Sequence, residues 1–269
     1  MNRLLPAACL ILLLVHEAPA RAAAESPACG PSVLAALGRE LKVAHFVPSP
    51  YDFGKDPAGV VIASSCKTMP DDPRLTLAAV VWNAGREDSK ALAIAIVDDG
   101  AATVVAQRRE DIDEDAATQV NNGSVRLDTA PYVFAPGVRA FGVDVFTDDR
   151  SCGDGGAGPL RTLYVREGRT LRPVLDGLAI NRWRYLRGNQ PRCVADQKEA
   201  ETAILETDDV TIALGDPAGP GGWRDLALTV TSRRSDHHPG RKPLHVRVPC
   251  DGRSFSLEAF DKAYDQWRK

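Results

Sequence analysis

The chain has 269 residues, with 33 Lys and Arg against 36 Asp and Glu, a net charge of −3, and 44% hydrophobic residues. Mild acidity argues against nucleic acid or an anionic membrane surface as the main partner. The length suits a single all-β domain with a sizeable core.

Residues 1–24 read as a cleavable, Sec-type export signal. Arg3 is the positive n-region, Ala7–Val15 the apolar core, and Ala18-Pro19-Ala20 or Ala22-Ala23-Ala24 the small-residue cleavage site. The apolar run is shorter than the roughly 20 residues that a membrane helix needs, and no later stretch is longer or more apolar, so no membrane span is expected. Cys9 belongs to the leader. The expected location is periplasmic or secreted, in a bacterial envelope, with residues 25–269 forming one mainly β domain.

Five cysteines follow the leader: Cys29, Cys66, Cys152, Cys193 and Cys250. An oxidising compartment favours disulfides, and an odd count leaves one thiol. Spacing leaves the connectivity open. Cys152–Cys193 is the favoured pair because both lie in polar loop sequence, and Cys29–Cys66 would tie the N-terminal segment to a sheet. Cys250 is then the unpaired residue.

Pro31–Lys42 carries Val33, Leu34, Leu37 and Leu41 on one side, with Pro at its first turn, and predicts a short amphipathic helix. Val47–Gly59, with Pro48, Pro50 and Pro57, reads as an extended loop. Val60–Ala63 is a short predicted strand leading to Cys66.

Three stretches then share one grammar of strand, loop, strand, tight turn, strand, over about 75–107, 138–175 and 221–257. In the first, Leu75–Trp82, Leu92–Ile96 and Thr103–Gln107 are the strands and Asp99-Gly100 the turn. In the second, Val138–Phe146, Leu160–Val165 and Leu171–Leu175 are strands around the polar loop Thr147–Pro159. In the third, Leu226–Val230, Leu244–Val248 and Phe255–Leu257 alternate, with a turn at Asp251-Gly252. One such unit cannot bury its apolar face alone, so the fold class expected is mainly β: antiparallel meander repeats in a sandwich or incomplete propeller-like arrangement, with short N- and C-terminal helices. Leu257, Phe260, Tyr264 and Trp267 are spaced as one face of that C-terminal helix.

Gly222-Trp223-Arg224-Asp225-Leu226, followed by Asp251-Gly252, resembles the Gly-aromatic-x-Asp-Leu and Asp-Gly pieces of FG-GAP-like β-propeller repeats. The resemblance implies propeller-like packing of the meanders, in a family whose repeats commonly carry a calcium loop.

Between the units, Glu110–Asp115 reads as a solvated acidic connector. In the second unit's loop, Asp148, Asp149 and Asp154 lie among glycines and are the candidate ligands for calcium; no other cofactor is expected. The third unit's loop gathers Arg233, Arg234, His237, His238, Arg241 and Lys242, a basic patch in an acidic chain. Arginine forks suit carboxylates and phosphates, so this patch is the candidate site for an anionic envelope component or protein partner. His237, His238 and His245 are the metal-site alternative.

Trp183-Arg184-Tyr185 reads as half-buried sheet. No nucleophile elbow, His-Glu-x-x-His helix or phosphate-cradling loop is present. Asp144, Asp176 and Asp225 are the carboxylates that a hydrolase reading would use, Asp225 serving otherwise as a turn or register residue. A non-catalytic binding protein is the favoured function, with an envelope hydrolase and a calcium-stabilised structural protein as alternatives.

Overall fold

The computed structural model describes residues 27–48, 58–115, 118–149 and 152–269, with the side chains of Pro48 and Asp149 outside that description. The predicted export signal lies outside the described residues.

The first described element is helix α1 (Pro31–Leu41), within a residue of its predicted span. Pro31 supplies a helix-ready φ at the first turn, and Val33, Ala36 and Leu37 form the buried stripe. It ends at Lys42, whose left-handed backbone lets its N–H reach back to the Gly38 carbonyl.

Strand β1 (Val47–Pro48) pairs in parallel with β2 (Val60–Met69). β2 therefore runs six residues beyond the predicted Ala63, carrying Cys66 into the sheet. There Cys66 is bonded to Cys29 with Cα atoms 4.9 Å apart. β3 (Asp72–Trp82), β4 (Ser89–Asp98) and β5 (Thr103–Asp113) follow as sheet neighbours.

The Glu110–Asp113 part of the acidic run is strand rather than connector. β4 is buried on both faces and needs a partner along its whole length, so β5 continues until Asp113 pairs with Ser89. Cations make this tolerable: Arg86 pairs with Asp111, and Lys90 lies 2.6 Å from Glu114.

Next come β6 (Thr118–Gln119), β7 (Val125–Ala135), β8 (Val138–Val145), β9 (Asp148–Asp149), β10 (Gly155–Ala157), β11 (Leu160–Glu167) and β12 (Thr170–Ala179). The remainder is β13 (Asn181–Arg187), the short helix α2 (Gln197–Glu201), β14 (Ile204–Pro217), β15 (Arg224–Arg234), β16 (Leu244–Val248) and helix α3 (Glu258–Arg268).

The strands form a nine-stranded sheet in the order β1-β2-β3-β4-β5-β12-β11-β8-β7, a five-stranded sheet β10-β13-β14-β15-β16, and the pair β6-β9. Pairing is antiparallel except at β1–β2 and at the single register match Thr170–Gln107 that joins β12 to β5. The large sheet curls into a half-barrel, and Lys67 of β2 donates to the Leu127 carbonyl of β7 at 2.7 Å across the closing seam.

Strand alternation divides the apolar side chains into separate cores. From β4, Leu92, Ile94 and Ile96 join Leu77, Phe141 and Tyr164 on the concave side. On the other side Ala95 and Val97 meet α1. The outer face of β7, β8, β11 and β12 packs against the five-stranded sheet and α3, joining Phe134, Leu163 and Leu178 to Leu226, Leu228, Val230, Phe260 and Tyr264.

The third strand predicted near Phe255–Leu257 does not form. Phe255 bridges Cys250 alone, and its N–H donates to the Val174 carbonyl of β12 at 2.7 Å. The reason is aromatic packing: the Phe255 ring lies 4.9 Å from Phe134, which stacks on Trp223 at 5.5 Å, so the segment bends towards the half-barrel. Trp183-Arg184-Tyr185 is half-buried sheet, the middle of β13 in the second sheet. No helix among the described residues is long and apolar enough to cross a membrane.

Candidate functional site

The central strand of the smaller sheet, β14, brings a charged row to the face that α3 covers. Glu206 stands opposite Arg184 of β13 on one side and Arg234 of β15 on the other. Two residues along, the same face carries Asp208 between Arg182 and Ser232. Beyond them Val210 and Val230 enter the apolar core.

Glu206 is 4% exposed. A carboxylate this buried must be paired, and Arg184 does so from Nε at 2.7 Å and from Nη2 at 2.6 Å, both to Oε2. Arg241 approaches the other oxygen from the loop after β15, but its Nε stands 3.7 Å from Oε1. That is an ion-pair distance and not a hydrogen bond, and this buried Nε has no hydrogen-bond partner.

The loop carrying Arg241 is held at both ends. Ser235 exchanges hydrogen bonds with the backbone of Leu205, its N–H donating to the Leu205 carbonyl and its Oγ accepting from the Leu205 N–H. Gly240 lies so flat on β15 that an added Cβ would sit 2.1 Å from the Ser232 carbonyl oxygen. Arg241 Nη1 donates to the Trp267 carbonyl at 3.0 Å, and the Trp267 indole N–H donates to the Lys242 carbonyl at 2.8 Å. Arg234 forks Asp236 at 3.1 and 2.7 Å, and that pairing holds the Asp236 carboxyl below its usual range.

These groups enclose an open pocket of about 350 Å³, with Arg184, Glu206, Arg234 and Arg241 as its polar wall and Leu186, Pro239 and Gly240 as its apolar lip. Small-ligand sites bring a few convergent polar groups beside apolar walls, and at this open depression three arginines stand beside Leu186 and Pro239. Chemically it can offer several guanidinium donors to an oxyanion.

The predicted basic patch is thereby divided. Arg234 and Arg241 face the pocket. Arg233, one residue along β15, points to the opposite side of the sheet and pairs with Asp209. His237 and His238 are exposed, the former with left-handed backbone, and Lys242 is exposed beside the loop's anchor on Trp267. His245 is in β16, with Nδ1 3.0 Å from Thr229 Oγ1. Arg184 and Glu206 were missed, because their relation to Arg234 is a cross-strand register and leaves no trace in sequence spacing.

Of the calcium candidates, Asp148 and Asp149 lie in β9 opposite Gln119 and Thr118, and the Asp154 carbonyl accepts from the Tyr185 N–H at 2.6 Å. Among the described residues, no three His, Cys, Asp or Glu side chains gather as a metal site.

The hydrolase candidates each have a structural partner. Arg161 forks Asp144 at 2.6 and 2.8 Å, Thr162 donates to Asp176 at 3.0 Å, and Asp225 holds Arg247 and the Cys250 N–H. Cys152 is bonded to Cys193, while Cys250 is a free, buried thiol that burial pushes towards higher pKa. The chain matches no family model, no curated protein and no solved structure.

Proposed function

We propose that this chain is an exported, non-catalytic binding protein of the cell envelope, and that it takes an anionic ligand or the anionic part of a protein partner in the arginine-lined pocket. The observation that carries this reading is the convergence of Arg184, Arg234 and Arg241 on one open pocket. Guanidinium groups that converge on one opening can give an oxyanion several charge-assisted hydrogen bonds. The leader-like residues 1–24 and the disulfides Cys29–Cys66 and Cys152–Cys193 support an oxidising location.

The test follows the arginine side-chain Nε–H resonances while chloride is replaced by acetate, phosphate or sulfate at constant ionic strength. The Arg234 and Arg241 signals should move with at least one anion, and the response should vanish in Arg241→Gln. If neither signal moves with any of them, the pocket is not an anion site and the reading fails.

A further inference from the structure

Resting on the anion reading of this pocket, we infer that its ligand class is a monocarboxylate bearing a small apolar group, the chemistry found at a peptide C-terminus. The argument starts from charge. Three guanidinium groups, Arg184, Arg234 and Arg241, are set against two carboxylates, Glu206 on the wall and Asp236 on the fork of Arg234. The surplus is one positive charge, so one negative charge on a ligand completes the balance. A phosphate group carries about −1.5 to −2 at neutral pH, and its excess charge would face the buried Glu206. Like charges at close range in a poorly solvated site repel strongly, which selects against the dianion.

Geometry points the same way. A carboxylate is planar and matches the fork of a guanidinium, and Arg184, Arg234 and Arg241 all line the pocket. Beside these donors the lip is apolar. Leu186 is 39% exposed there, across from Pro239 and Gly240, so a group next to the carboxylate would lie on hydrocarbon and cover an otherwise solvated leucine. A volume of about 350 Å³ is at the small end for ligand pockets and admits a chain end rather than an extended polymer. Capture of a terminal carboxylate by convergent donors with an adjoining side-chain pocket is an established mode of peptide recognition.

The test titrates the full chain with acetate, N-acetyl-leucine, N-acetyl-alanyl-leucine, N-acetyl-leucine amide and inorganic phosphate, reading the same arginine resonances. N-acetyl-leucine should bind about tenfold more tightly than acetate, the scale of one or two apolar groups in a pocket, and its amide should not bind. Leu186→Ser should abolish that preference, so that N-acetyl-leucine binds no more tightly than acetate, with the melting temperature unchanged, since this leucine supports no core. Tighter binding of the dipeptide assigns the ligand to a peptide end, and equal binding assigns it to a free acid; either upholds the class. If phosphate moves the arginine signals and N-acetyl-leucine does not, the carboxylate class is overturned while the anion reading stands. If neither these probes nor sulfate moves the arginine signals, both fall.

Discussion

Asp225 shows how one buried carboxylate sets a strand register. It is 2% exposed near the start of β15, accepts the Cys250 N–H at 3.0 Å and Arg247 Nε at 2.6 Å, and so ties β15 to the far end of β16. The Cys250 N–H bond, with Arg247 adding to it, outweighs burial and holds the carboxyl below its ordinary value of 3.8. Because the folded pKa is depressed, the stabilisation is complete above that ordinary value and drains away as pH falls through the folded value. Urea midpoints measured from neutral to strongly acidic pH should therefore fall more steeply below 3.8 in the parent than in Asp225→Asn. At neutral pH the variant should lose roughly 1–3 kcal/mol. Parallel curves for the two proteins would remove the linkage. The turn-or-register reading of Asp225 needed only its place before an alternating run. The fork of Arg161 on Asp144 was not legible, because those residues meet through the β8–β11 register.

At the scale of elements, β14 and the loop between β15 and β16 decide the site. β14 is a 14-residue strand that periodicity does not reveal, since Glu206, Asp208 and Asp209 break the apolar pattern. Those acids are affordable only because Arg184, Tyr264 and Arg233 reach them from neighbouring elements; the Tyr264 hydroxyl donates to Asp208 at 2.7 Å. The loop is placed by close contact. Gly240→Ala would force a Cβ against the Ser232 carbonyl, so the loop must lift from β15 and carry Arg241 with it. We expect a loss of roughly 1–3 kcal/mol in thermal unfolding, together with loss of the anion response of Arg241. A variant with unchanged stability and unchanged anion response would show that the loop is not held there.

At the scale of the molecule, two sheets share one aromatic core while a disulfide staples the N-terminal segment to the half-barrel. Cys29 and Cys66 are 37 residues apart in sequence, and their bond joins the approach to α1 to β2. Replacing both by Ser should cost roughly 2–4 kcal/mol, mainly by freeing the unfolded chain. The measurement is the denaturant midpoint of the double variant, and an unchanged midpoint would mean that the α1 packing alone secures this end. The anion response should survive, because the pocket belongs to the other sheet.

Much of this architecture was legible in the chain itself. Period-two alternation marked β15 and β16, a proline-led apolar stripe marked α1, and aromatic spacing marked α3, because each depends on which side of a local element faces water, while apolar runs between turns marked β3 and β4. Polar loop sequence and position singled out the cysteine pairs. The path of β5 through its acidic run, the bend at Phe255, the parting of Arg233 from Arg234 and the pairing of Glu206 with Arg184 were decided only in the folded molecule. Each of these depends on what a neighbouring strand presents, and pairing across a sheet brings together residues whose separation along the chain carries no local signal.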